Sequence, residues 1–413
     1  MITAEAGAGL REAPSTLSVS VVDTKDEFAR IEADWRRLFA QCARPVPFLT
    51  WEWVTTWWRH FGGASRMFVL VARDENDHVV GIAPLQIATR RAFGLATVRS
   101  MEFLGYRGSS VCPDHLDFLV DGGASVPVRE ALAKAIFAHH EAWDRMELAD
   151  VSEDSPITEM VNRHAAEADL PTEQGPSQVC PYVPLPPTWD ALLKAAKEKR
   201  RSLIKWRRKK LLQTYNVRFE CLSAPESVHP AIDTLARLHT LSRQRKGESG
   251  NFHLPEYLKF HHEVAEVMAR AGYLYFAQLD CNGQPAACSY GFHVGSVLYD
   301  YQKGFDPAFS RDGAGSVLTG MMIEDGIERL HAQEVDFLRG TEEYKYFWTS
   351  RDRKTRSILV WSRNVKGNLS RREFALRQRV SAQRKWAVDI WARVSSRYRG
   401  SGAKRQVPKS EEK

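Results

Sequence analysis

DPAFSRDGAGS, Asp306 to Ser316, is the stretch on which the fold turns. It leaves a strand-like run, VLYDYQKG (Val297–Gly304), and enters GSVLTGMMIEDGIERLHAQ, which reads as a helix. The Gly313-Ala314-Gly315 turn therefore sits at a helix start, where backbone amides and the helix dipole favour an anion. Ser310, Arg311, Gly313, Ala314, Gly315 and Ser316 are the candidate phosphate holders; a plain turn is the rival reading. The strand before them carries Asp300, Tyr301 and Lys303, more polar groups than a simple buried strand wants.

After the helix comes VDFLRGTEEYKYFWTSRDRK, Val335 to Lys354. Packing explains Val335, Phe337 and Leu338. It does not explain Arg339 at a strand end, with Glu342 and the Tyr344-Lys345 pair just beyond in a short helix. If the strands flanking the Ser316 helix are neighbours, Asp300 and Arg339 come close. A purely structural Tyr344-Lys345 pair is the competing account.

Working outward, LYFAQLDCNGQPAACSYGFHVGSVLYDYQKGFD reads as three antiparallel strands with turns at Asn282-Gly283 and near Gly295. Two helices precede it. A Pro-rich crossing, PYVPLPPTWD, separates this half from an earlier one of similar style. There, RDENDHV turns a hairpin, and Thr24 or Asp26 caps an early helix. Trp53, Trp57 and Phe61 recur at i, i+4, i+8, a stripe for a core, with carbohydrate stacking as the sharper alternative. The expected division is a disordered lead over 1–16, an N-terminal domain over 17–180 and a C-terminal domain over 181–365 with a basic helix near 190–212. A basic amphipathic helix follows over 366–395, with Ser370 as its N-cap, then a disordered tail over 396–413.

The order strand, Gly-rich loop, helix, strand, Tyr-bearing helix resembles the core of GNAT acyltransferases. The span from about Ser18 to Ser362 further resembles GNAT proteins of the cellulose-biosynthesis-associated (CelD/BcsL) type. PFLTWEWVTTWW, EKRRSLIKWRRKKL and above all VDFLRGTEEYKYFW carry that resemblance. It implies an α+β fold of tandem GNAT-like domains, with mixed, largely antiparallel sheets flanked by helices, related to the Fem-type aminoacyltransferases. It also implies acetyl-CoA or another acyl-CoA as co-substrate, its pyrophosphate on the 310–316 loop. Ser310 stands where the family loop has Gln or Arg. By the same resemblance Tyr344 protonates the departing thiolate, and Lys345 or Arg339 supplies positive charge. Asp300, or Glu342 in its place, takes the proton of the attacking amine or hydroxyl. Tyr301 and Lys303 are assigned to substrate binding.

Apolar residues make up 43% and charged residues 26% of the 413, an ordinary globular composition. No apolar run approaches the ~20 residues of a spanning helix, and the N-terminus has no secretion-signal pattern. Six Cys show no C-x-x-C pair, as expected of buried thiols in a reducing cytosol. His253, His261 and His262 make no metal pattern, so no metal is expected. The net charge of +7 hides two basic segments: ten Lys/Arg against one Glu over 194–210, and fourteen against four acids over 366–413. The remainder is acidic, which argues for local contact with an anion rather than for a general nucleic-acid binder. The expected protein is cytoplasmic, peripheral at the inner membrane face or at a polysaccharide synthase complex, with a small-molecule or saccharide acceptor. The alternatives are an aminoacyl-tRNA-dependent transferase, which alone would call for nucleic acid, and a non-catalytic scaffold.

Overall fold

The computed structural model describes residues 16–106, 111–122, 125–245 and 247–380. The first half opens with β1 (Ser18–Val22), α1 (Lys25–Arg30), α2 (Glu32–Gln41) and α3 (Trp51–Phe61). Strands β2 (Ser65–Met67), β3 (Val69–Arg73), β4 (Val79–Ala83), β5 (Leu85–Ala92), β6 (Ala96–Phe103) and β7 (Leu119–Val120) follow. Then come α4 (Ser125–Ala138), β8 (Arg145–Ser152), α5 (Ile157–Glu167) and β9 (Thr172–Gln174), and the chain crosses by β10 (Val179–Pro184). The second half starts with α6 (Trp189–Ala195), α7 (Glu198–Thr214), β11 (Val217–Cys221), α8 (Pro225–Gln244) and α9 (Pro255–Arg270). It ends with β12 (Leu274–Cys281), β13 (Gln284–Val294), β14 (Val297–Phe305), α10 (Ala314–Glu328), β15 (Glu334–Asp336), α11 (Glu343–Tyr346) and β16 (Asp352–Trp361).

Local chemistry accounts for many of these boundaries. Thr24, Thr50 and Thr188 each accept a first-turn amide and cap α1, α3 and α6. Asn282 and Gly283 both take positive φ, 53° and 77°, which a two-residue turn between β12 and β13 needs. The α3 stripe is core: Trp53 is fully buried and meets Phe48, Phe260 and Phe292 edge-on. That leaves no stacking surface for a sugar. The basic segment is two helices, because the backbone is extended at Ala196 and Lys197 between α6 and α7. The last described helix starts at residue 365, so Ser370 is a buried interior position and not its cap. The rest of the expected 366–395 helix, the 396–413 tail and nearly all of the 1–16 lead lie outside the described residues.

The architecture is α+β, with largely antiparallel sheets flanked by helices. One plan occurs twice. A hairpin, a crossover helix and a parallel strand appear as β5-β6-α4-β8 and again as β13-β14-α10-β15. Each half then takes its next strand from the other. β16, near the chain's end, lies antiparallel beside β8, while β10, from the crossing, lies antiparallel beside β15. β10 and β16 pair with each other, so one twelve-stranded sheet runs through both halves. A separate four-stranded sheet has the order β1-β3-β4-β7.

In both copies the parallel strands part. β6 and β8 pair only from Ser100/Arg145 to Glu102/Glu147. Beyond that, Leu116 moves in beside Val151 and exchanges backbone hydrogen bonds with Asp150 and Ser152, filling the gap. β14 and β15 pair only from Val297/Glu334 to Tyr299/Asp336. After Asp336 the chain stays with β10, through Phe337 N–H to Pro181 and Gly340 N–H to Val179. The gap between Asp300–Phe305 and Phe337–Gly340 stays open as a cleft.

Candidate active site

The cleft encloses about 910 Å³, within the range of small-molecule sites. β14 forms one wall and Phe337–Lys345 the other; the start of α10, α7 and the end of α8 close it.

At one end lies the turn into α10. Residues Pro307–Asp312 form a 3-10 helix capped by Asp306, and Gly313 follows at φ 74°, ψ 26°, the left-handed region. Ser316 and Val317 donate to the Gly313 carbonyl, while the amides of Ala314 and Gly315 precede any intrahelical acceptor. A side chain on Gly315 would meet nothing closer than Phe305 at 3.9 Å, so the space over that amide is open. Arg207 of α7 lies across the turn. Its Nη1 donates to Ser316 Oγ at 2.9 Å and its guanidinium stands 5.4 Å over the Phe347 ring. Arg311 and Ser310 also line this end. First-turn amides, a glycine approach and two guanidinium groups suit a pyrophosphate.

At the other end, Asp300 is buried, accepts from Ser289 Oγ at 2.6 Å and pairs with Lys303 Nζ at 2.7 Å. Lys303 donates to Thr319 Oγ1 and sits 5.1 Å over the Tyr344 ring. Burial pulls the Lys303 ammonium below its ordinary value against the pull of Asp300. This pairing occupies Asp300; Glu342 and Glu343 also line the cleft, Glu342 on its exposed side and itself paired with Lys345. Burial opposes the Glu342 charge, but Lys345 at 3.0 Å holds the carboxyl below its ordinary value. The Tyr344 ring stands edge-on to Phe337 and borders the cleft, with 40% of the residue exposed. Although the residue is not buried as a whole, desolvation by the surrounding cleft walls, then the Asp300 and Glu342 charges, push its phenol well above its ordinary value. It therefore keeps its proton through the neutral range.

Two expected cations are engaged elsewhere. Arg339 does not turn to Asp300, because the strands have parted before it. It binds Asp114, Asp150 and the Pro113 carbonyl, all from the first half. Lys345 is buried and donates to the carbonyls of Leu338 and Arg339, fastening the turn where Leu338 and Gly340 take positive φ. Lys303 lies 5.1 Å from the centre of the Tyr344 ring, and Arg243, which also lines the cleft, acts on the phenol through its charge. Tyr301 borders the cleft, its ring packed among Phe48, Trp53 and Tyr290 and its hydroxyl buried. Arg207 and Arg243 were not singled out from the sequence. Arg207 belongs to a charge run that was; Arg243 carries no local signal.

His253 and His262 bond to Gly250 and Asp233, and burial takes His261 down to about 3. Among the described residues no three His, Cys, Asp or Glu side chains gather as a metal site. Among them, too, no helix is long and apolar enough to cross a membrane.

The sequence model of the acetyltransferase (GNAT) domain matches residues 198–346, from the start of α7 to the end of α11. That span contains both ends of the cleft. No curated protein matches the chain. Among solved structures the chain is similar to FemX, with TM-score 0.56 and 12% identity over 79% of this chain and 95% of that one. It is also similar to the C-terminal domain of a putative lysylphosphatidylglycerol synthetase from Agrobacterium fabrum, with TM-score 0.47 and 10% identity over 84% and 96%. A third is a tandem GNAT protein from the clavulanic acid biosynthesis pathway, with TM-score 0.45 and 10% identity over 83% and 98%. The likeness to FemX is one of fold.

Proposed function

We propose that the protein is an acyl-CoA-dependent acyltransferase acting on an amine or hydroxyl acceptor. The observation that carries this reading is the parting of β14 from β15 over the first amides of α10, with the Tyr344 phenol in the same cleft. Acyl-CoA, when bound, supplies a thioester from which the acyl group leaves. The amides of Ala314 and Gly315, with Arg207 and Arg311, would hold its pyrophosphate. Tyr344 holds a proton for the departing sulfur, and the Lys303 ammonium beside its ring favours the negative charge that develops there. Glu342 is the ionised carboxylate that takes the acceptor's proton. Holding both substrates in one cleft lets attack be direct, without a covalent enzyme intermediate. An acceptor from cell-envelope or exopolysaccharide synthesis is the reading favoured by the resemblance to CelD/BcsL-type proteins.

The test is calorimetric titration with acetyl-CoA and longer acyl-CoAs, repeated on Gly315→Val. Affinity in the parent that the variant loses is the expected result. No affinity for any acyl-CoA would overturn the reading and turn the search to an aminoacyl-tRNA donor.

A further inference from the structure

We propose that the outward face of α7 docks on an anionic lipid bilayer, seating the cleft mouth at the headgroup layer. The proposal goes beyond acyl transfer and does not depend on it. Most of the cations of helix α7 divide between two faces. Three of its four arginines engage the protein: Arg207 binds Ser316, Arg208 binds Glu324 at 2.6 Å, and Arg200 lies over Phe347. Three of its four lysines face out, while Lys210 pairs with Asp312 at 2.9 Å and lies over the Trp206 ring. At 100° per residue, Lys199, Lys205, Trp206, Lys209 and Leu212 fall within an arc of about 140°. Lys199, Lys205 and Lys209 are exposed, and between them Trp206 is 56% and Leu212 48% exposed. The helix has one acid, Glu198, exposed in its first turn on the same arc, so the face keeps a net charge of +2.

An exposed Trp and Leu among three outward lysines need a partner that is apolar and anionic together. A bilayer rich in acidic lipid offers both. Lysines reach the phosphates, an indole settles at headgroup level, and a leucine enters the acyl boundary. RNA would use the lysines and the indole. It offers nothing to Leu212, and three of the four arginines, the side chains best suited to phosphate, are engaged by the protein. Trp206 also lines the cleft mouth, so a bilayer on this face lies beside the entrance.

The experiment is co-sedimentation of the full chain with vesicles of phosphatidylcholine alone or mixed with phosphatidylglycerol, alongside a tRNA binding assay. Binding to the mixed vesicles that weakens with salt is expected, with none to phosphatidylcholine alone. Lys199→Glu/Lys205→Glu/Lys209→Glu should lower vesicle affinity at least about tenfold with circular dichroism unchanged. Leu212→Gln, which alters no charge, should lower it at least about threefold, the share of the exposed half of a leucine side chain. Parent-like binding by the triple variant would overturn the proposal, because the charge responsible would then lie off α7. Parent-like binding by Leu212→Gln, or affinity for tRNA without affinity for vesicles, would overturn it as well.

Discussion

Asp114 in the first half accepts two hydrogen bonds from Arg339 in the second, from the backbone amide at 3.0 Å and from Nε at 2.9 Å. Asp114 belongs to the same loop that brings Leu116 beside Val151 and fills the first half's gap. The loop that closes one cleft therefore braces the wall of the other. Asp114 is fully buried, so Asp114→Ala should leave the Arg339 guanidinium short of a partner inside the protein. A loss of about 3 kcal/mol is expected from denaturant unfolding. A loss below about 1 kcal/mol would show that Asp150 alone satisfies Arg339.

Tyr344→Phe should lower turnover at least about a hundredfold, the usual share of a proton donor. Acyl-CoA affinity and unfolding midpoint should stay at parent values, since the ring contacts with Phe337 and Lys303 survive. Unchanged turnover would make the phenol a packing group.

Gly315 and Gly313 separate ligand space from backbone strain. Gly315 has an ordinary backbone and open space beyond it, so Gly315→Val should fold normally and lose acyl-CoA affinity. Gly313 sits at φ 74°, so Gly313→Val should lose affinity and also about 1–2 kcal/mol of stability. Calorimetry and thermal melts on both variants check this; equal destabilisation would contradict the geometry.

Much of this cleft was legible because it is built from local signals. Gly313 and Gly315 precede a strongly apolar helix, and the run from Val335 to Lys345 has charge that packing leaves unexplained. The threonine caps and the Asn282-Gly283 turn are local for the same reason. What could not be read depends on partners far along the chain. Arg339 looks like a catalytic cation until Asp114 and Asp150, some two hundred residues earlier, fold against it. Asp300 looks like a free base until Ser289 and Lys303 close on it. Strand periodicity says which residues are buried, not which strand lies alongside, so the exchange of β10 and β16 leaves no mark in the local pattern.

A second ionic group at the junction makes stability depend on pH. Burial disfavours the Asp336 charge, yet His115, then Arg44 and Arg353, hold its carboxyl down to about 2. Its folded value lies below its unfolded one, so its contribution is present above about pH 4 and lost as pH falls from there towards 2. His115 shifts the other way. Burial opposes its charge, but Asp336 at 3.2 Å raises it overall. Its contribution is full below about pH 6.5 and lost as pH rises through its raised value. His115→Gln should remove the alkaline decline in unfolding free energy and weaken the acid-side hold on Asp336. An alkaline limb unchanged in the variant would sink this assignment.

The strand exchange predicts that cutting the chain between Cys180 and Pro181 will not yield two folded domains. A fragment over 17–180 lacks β16, whose register from Thr355 to Trp361 covers β8 from Ser152 to Arg145. It would expose the unpaired, mostly buried edge of β8, which invites aggregation. The fragment over 181–365 keeps Pro181–Pro184 of β10 but loses Val179 and Cys180, which pair with Lys354 and Arg353. Its own β16 then has no β8 to cover. Each fragment should therefore be unfolded or aggregated by circular dichroism, and mixing the two from denaturant should restore the helical and sheet signal. A monomeric 17–180 fragment with a cooperative melt would show that the first half holds its sheet without β16.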